Sequence, residues 1–365
     1  MRKKRYFWKK SRVEEKLISK KKPLFPISDS LMQFLKKYDR WMESYICYED
    51  LLRFSGSVVV HDKNDDDTLW VRVYYSDCDR EEIDQQLKAI YTQLHSDGGN
   101  SSLPDLNIDA IDYCTFGNSK PFRIKIRNIL NDNFTYFYVK KTDASRVYGL
   151  EFEHILSPYN LNYMVNHNTL IEEHIAGIPG DVFIKDYLPH CSAAEKAQIA
   201  KECVKFNERC MVRLLGDMRA YNYVVIPIHD FDHVIYKIRA IDFDQQCFEG
   251  KLSVYRPQFF KENYPLLLVI KDKLNYESIV QYKIEERSIL SRRLINSGNR
   301  IDFLVNIMKK DRLSIPENLE KLKNEIFVFT KDNAFTKSKS MGELMQASFD
   351  YMRRNYQNVS LGDLL

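Results

Sequence analysis

Apolar and polar positions follow two different rhythms in this chain. Phe122, Ile124 and Ile126 alternate with Arg123, Lys125 and Arg127, so residues 121–130 predict a half-buried strand. Residues 111–116 and 134–141 read as strands on either side of it, across turns at 117–120 and 131–133. Residues 55–62 and 68–75 predict a hairpin around the polar turn 63–67. The pattern then lengthens. Residues 144–156 predict a helix weakened by Gly149, and residues 169–177 a strand leading into a Gly/Pro turn at 177–180. Ile199, Cys203, Phe206, Cys210 and Leu214 form a helical stripe over 193–215. Residues 223–228 and 234–240 predict a second hairpin, turning in the polar stretch 229–233. Beyond 253 the chain reads as helices near 259–274, 276–295, 300–310, 317–327 and 341–357. Upstream, residues 30–54 (Leu31, Phe34, Leu35, Tyr38, Trp41, Met42, Tyr45) and 81–95 also read as helical, and 96–102 is a Gly/Ser/Asn linker. The expected class is α+β, with an accessory α+β module over 23–100.

Composition narrows this only a little. With 365 residues, 44% of them hydrophobic, the chain can bury a large core. The net charge of +4 is uneven: residues 1–22 carry 11 Lys or Arg and 2 Glu, a local +9 that leaves −5 for the rest. A basic arm with Tyr6, Phe7 and Trp8 interleaved suits a membrane surface or a polyanion, or is simply a solvated terminus. Seven cysteines show no paired or metal-ligand spacing, which fits a reduced, cytoplasmic chain. No apolar run is long enough to span a membrane, and none resembles a signal peptide.

The chemistry concentrates in residues 214–225 and 241–244. Phosphoryl transfer needs a carboxylate to orient the attacking hydroxyl, and a carboxylate with an amide to hold a metal on the phosphates. Asp217, Asn222 and Asp242 have those types, and the hairpin 223–240 would return Asp242 to the side of Asn222. Arg219 is placed to neutralise phosphoryl oxygens. Asp244 would either assist the metal or cap the following turn.

Gly216-Asp217 with Asn222 five residues after the Asp, followed by Ile241-Asp242-Phe243-Asp244, resembles the protein-kinase-like superfamily, in particular its aminoglycoside phosphotransferase and choline kinase branch. The resemblance covers roughly residues 108–250. It implies a two-lobed kinase-like fold: a small antiparallel β lobe with the hinge over 106–180, a helical lobe over 181–365, and the N-terminal extension in front. It implies that ATP and Mg²⁺ are cofactors. Gly117 and Ser119 would cover the phosphates, Lys140 (or Lys141) would bind them, and Glu151 (or Glu153) would aim the lysine. Glu173 and Ile175 would offer main-chain groups to adenine. Asn222, Asp242 and Asp244 would serve the metal, with Asp217 as base and Arg219 beside it. No Ala-Pro-Glu follows, so the expected acceptor is a hydroxyl of a small molecule, sugar or lipid rather than a protein. A scaffolding pseudokinase and an AMP-transferring enzyme are the alternatives.

Overall fold

The computed structural model describes residues 22–43, 46–95, 105–116, 119–231 and 233–355. It is an α+β structure with a seven-stranded antiparallel sheet followed by a helical region. In chain order the first elements are α1 (Asp29–Lys37), β1 (Gly56–His61), β2 (Asp67–Tyr74), α2 (Asp77–His95), β3 (Leu106–Cys114), β4 (Phe122–Asn128), β5 (Phe134–Lys141), α3 (Ala144–Leu156), β6 (Tyr163–Asn166) and β7 (Thr169–Glu173). The strands lie side by side as β1-β2-β3-β4-β5-β7-β6.

The alternation in β4 decides the two faces of the sheet. Phe122, Ile124 and Ile126 are buried with Ile111, Phe137 and Val139 beneath α2, whose Ile83, Leu87, Ile90 and Leu94 close that core. On the other face the cations pair across strands: Arg123 reaches Asp112 at 2.8 Å and Arg127 reaches Asp109 at 3.0 Å. The hairpin β1–β2 is no free-standing module. Trp70, Val71 and Arg72 pair with Cys114, Tyr113 and Asp112, so residues 56–95 share the sheet and core of residues 106–171.

The helix expected over 30–54 ends early. Asp39 takes a left-handed φ of 56°, after which residues 40–42 run along the edge strand β6. The amide of Met42 donates to the Val165 carbonyl and that of Val165 to the Arg40 carbonyl. The apolar spacing of Trp41 and Met42 therefore serves strand pairing. A short 3₁₀ turn, Asp50–Arg53, is the only other helical part of that stretch among the described residues.

After β7, β8 (Ile178–Pro179) leads to α4 (Ala193–Arg213) and the hairpin β9 (Tyr223–Asp230) with β10 (His233–Ala240). Ser192 and Glu195 form a reciprocal capping box at the start of α4. Leu214 ends it at φ 50°, turning the chain toward residue 217. Helices α5 (Tyr264–Lys273), α6 (Tyr276–Asn296), α7 (Gly298–Met308), α8 (Pro316–Thr330) and α9 (Met341–Asn355) complete the helical region. No helix among the described residues is long and apolar enough to cross a membrane.

Helix α3 joins the two regions and is buried almost throughout. Gly149 is the reason it fits: a Cβ there would stand 3.0 Å from Phe243 Cβ and 3.2 Å from Gln246 Cβ. The residue that weakens the helix as an isolated segment is what lets residues 243–246 lie against it.

Candidate active site

A cavity of about 420 Å³ opens between the sheet and the helical region. That is within the size range of small-molecule sites. Its lower wall is the loop after α4. Gly216 brings the backbone close to Gln245, where a Cβ would meet the carbonyl oxygen at 3.0 Å. The amide of Gly216 donates to that carbonyl, and the amide of Asp217 to the carbonyl of Val254. Asp217 is held at φ 58°, a left-handed conformation that aspartate tolerates better than most residues. The Asn222 side-chain amide donates to the Asp217 carbonyl at 2.7 Å, which leaves its own oxygen as a ligand atom. The register of β9 and β10 pairs Tyr223 with Ala240, and the Ile241 amide donates to the Asn222 carbonyl at 3.0 Å. Asp242 is thereby delivered to the same wall as Asn222 and Asp217.

Burial pushes the Asp217 carboxyl up to about 6. The nearby Asp242 charge adds to this, against the opposing pull of Arg219. Arg219 donates to Asp217 at 2.9 Å and also reaches Glu262 at 2.9 Å. It does not line the cavity. Its guanidinium bridges these two carboxylates and so clamps Asp217.

The upper wall carries Ser119, Lys140, Glu172, Glu173 and Ile175. Gly117 lies outside the described residues. The two candidate lysines separate by strand alternation. Lys140 is buried on the cavity wall, while Lys141 points to the other face and pairs with Glu49 at 2.9 Å. Trp70, Phe116 and Tyr138 supply aromatic surface at the same wall.

Neither glutamate expected beside Lys140 is its partner. Lys140 is ion-paired with Glu172, two residues along β7 from its register partner Leu170. Glu151 is fully buried on the side of α3 away from the cavity. There it accepts from Arg300 Nη2 at 2.8 and 3.0 Å and from Arg300 Nε at 3.1 Å, and takes a hydrogen bond from the Tyr163 hydroxyl. Glu153, the other candidate, is ion-paired with Arg213 at the end of α4. Val147 and Ile155, each four residues from Glu151 along the helix, face the core. A carboxylate on that face can be buried only with its own cation.

The side of α3 that does face the site carries Gly149 and, three residues earlier, Arg146. Arg146 is 2% exposed, and its Nη2 lies 3.2 Å from Asp242 and 3.4 Å from Asp244. Sequence reasoning passed over both Arg146 and Glu172. The available signal was a charge inside an otherwise buried helix or strand, since such a charge must have a partner.

Asp244 is also reached by Lys22, whose Nζ sits 2.9 Å from Asp143 and 3.5 Å from Asp244 and donates to the Asp244 carbonyl. Burial alone would raise the Asp244 carboxyl, but Arg146 and Lys22 hold it below the usual carboxylate range. Asp244 is committed to two cations, which weakens its case as a metal ligand. Lys22, expected to belong to a separate basic arm, is buried in the fold; the remainder of that arm lies outside the described residues.

Around this cavity and behind it, Lys22, Lys140 and Arg146 pair with Asp143, Glu172, Asp242 and Asp244. No protein-family model matches the chain, and no curated protein matches it in sequence. Among the described residues no three His, Cys, Asp or Glu side chains converge as a metal cage. The donor set Asp242 with the Asn222 amide oxygen does fit Mg²⁺, which usually takes one or two carboxylates and completes its shell with water and substrate phosphate.

Proposed function

We propose that the protein is an ATP- and Mg²⁺-dependent phosphotransferase that moves the γ-phosphoryl group to a hydroxyl of a small-molecule, sugar or lipid acceptor. The two-lobed kinase-like arrangement is part of this reading, with the seven-stranded sheet and the helical region as the lobes. One observation carries it. Lys140, Asp217, Asn222 and Asp242, drawn from three segments, line one cavity, with an aromatic wall beside them.

Each residue then has a role that follows from its surroundings. Lys140, steadied by Glu172, binds phosphate oxygens. Trp70 and Tyr138 offer flat apolar surface to a base, beside Glu173 and Ile175. Asn222 and Asp242 hold Mg²⁺, which when bound neutralises phosphate charge. Asp217 accepts the proton of the acceptor hydroxyl, and a carboxyl poised near pH 6 is a better base than an ordinary aspartate. The left-handed backbone at 217, whose carbonyl accepts from the Asn222 amide, and the hydrogen bond that Arg219 donates to the carboxylate fix Asp217 in place.

The test is thermal unfolding with and without Mg·ATP. A ligand that binds only the native state raises the midpoint. Wild type should show a Mg²⁺-dependent shift, and Asp242→Ala should lose it. Absence of any shift in wild type at millimolar ATP overturns the proposal. Mass spectrometry of an acceptor screen then separates phosphoryl from nucleotidyl transfer.

A further inference from the structure

Arg146 is a cation of the site that its protein contacts leave half used. Nη2 is held between Asp242 and Asp244, yet Nη1 is buried without a hydrogen-bond partner. Two comparably buried arginines differ. Arg209 is engaged by Glu202, Glu286 and the Ile238 carbonyl, Arg213 by Glu153 and the Arg209 carbonyl, and neither leaves such a nitrogen. An unmet donor on a buried guanidinium is costly unless something else completes it. Arg146 lines the cavity together with Lys140 and Ser119, so the missing acceptor belongs to whatever occupies that cavity. Glu172, the partner of Lys140, carries an equally unpartnered Oε1 on the same wall.

We infer that Arg146 is a phosphate-binding residue, donating Nη1 to a non-bridging oxygen of the bound nucleotide's polyphosphate. This rests on the nucleotide reading of the cavity and adds a second protein cation to it. A guanidinium suits the task because its fork holds two acceptors at fixed angles. One arm fixes the carboxylates at 242 and 244 and the other takes the phosphate, so the metal carboxylate and the phosphate chain are set in register by one side chain. Beside Lys140, Arg146 then supplies a second positive charge from the protein itself.

Calorimetric titration of wild type and Arg146→Lys would test this, using adenosine, ATP with Mg²⁺, and ATP with chelator. The lysine keeps the charge but loses the fork. Adenosine affinity should stay within about twofold of wild type, while ATP affinity falls about tenfold or more both with and without Mg²⁺. An unchanged ATP affinity overturns the inference. So does a loss confined to Mg·ATP, because Arg146 would then act only through Asp242. If wild type binds neither adenosine nor ATP, the nucleotide reading itself has failed, which is a different result. Should Arg146→Lys not fold, the pair Arg146→Met with Asp244→Asn removes one charge of each sign and carries the same expectation.

Discussion

Asp217 shows how a single side chain can work against the fold that holds it. Its carboxyl, raised to about 6 from 3.8, prefers the protonated form in the folded state. Its stabilising share is complete below the ordinary aspartate range and is lost as pH rises from about 4 through about 6. Above that window the ionised carboxylate is a burden. Asp217→Asn should therefore be more stable than wild type at about pH 8, by about 1–3 kcal/mol, with the gain vanishing near pH 4. Urea unfolding at both pH values checks the sign. Under the phosphotransferase reading, the same substitution should abolish transfer and leave nucleotide binding intact. A destabilised variant at pH 8 would mean that the hydrogen bond to Arg219 outweighs burial.

At the scale of elements, α3 decides how the two regions meet. Its buried pairs, Glu151 with Arg300 and Glu153 with Arg213, tie it to α7 and α4, while Gly149 and Arg146 face residues 242–246. In an exposed helix, Gly→Ala is stabilising by roughly 1 kcal/mol. At position 149 the sign should reverse. A methyl 3.0 Å from Phe243 Cβ and 3.3 Å from the Phe243 carbonyl forces the helix or the 242–246 loop to move. Gly149→Ala should cost about 1–3 kcal/mol by denaturant unfolding and weaken Mg·ATP binding as Asp242 shifts. Unchanged stability would show that the loop yields freely. The hairpin β9–β10 is the simpler device. Its paired strands return the chain so that Asn222 and Asp242, twenty residues apart in sequence, end side by side.

Across the whole molecule, what was legible in the sequence was what short-range periodicity encodes. The alternation at 122–127 and the stripe of α4 became the expected strand and helix, while the turn expected at 229–233 is tighter, because His229, Asp230 and His233 pair within the strands. The hairpin delivered Asp242 to the cavity wall as expected. What was not legible depended on neighbours distant in sequence. Periodicity shows that Glu151 lies on one face of a helix, but not that Arg300, 149 positions later, covers that face. It shows that β1 and β2 form a hairpin, but not that β2 joins β3. It gives Trp41 and Met42 an apolar character without saying that a strand edge waits at Val165. Lys22 reads as one of many cations in a basic run, and only the fold sets it apart by placing Asp143 and Asp244 around it.

The joining of β2 to the sheet has an optical consequence. It carries Trp70 to the wall of the cavity, where Arg123 stacks 4.6 Å from the ring centroid and Tyr138 lies 6.5 Å away. Trp41, by contrast, sits against His167 at the far edge of the sheet, outside the cavity lining. A purine entering between Trp70 and Tyr138 would alter the indole's surroundings. Under the nucleotide reading, ultraviolet-excited emission should change as adenosine is added to wild type and stay flat in Trp70→Phe. The hairpin that seemed a separate accessory then gives the protein an intrinsic light signal for its own ligand.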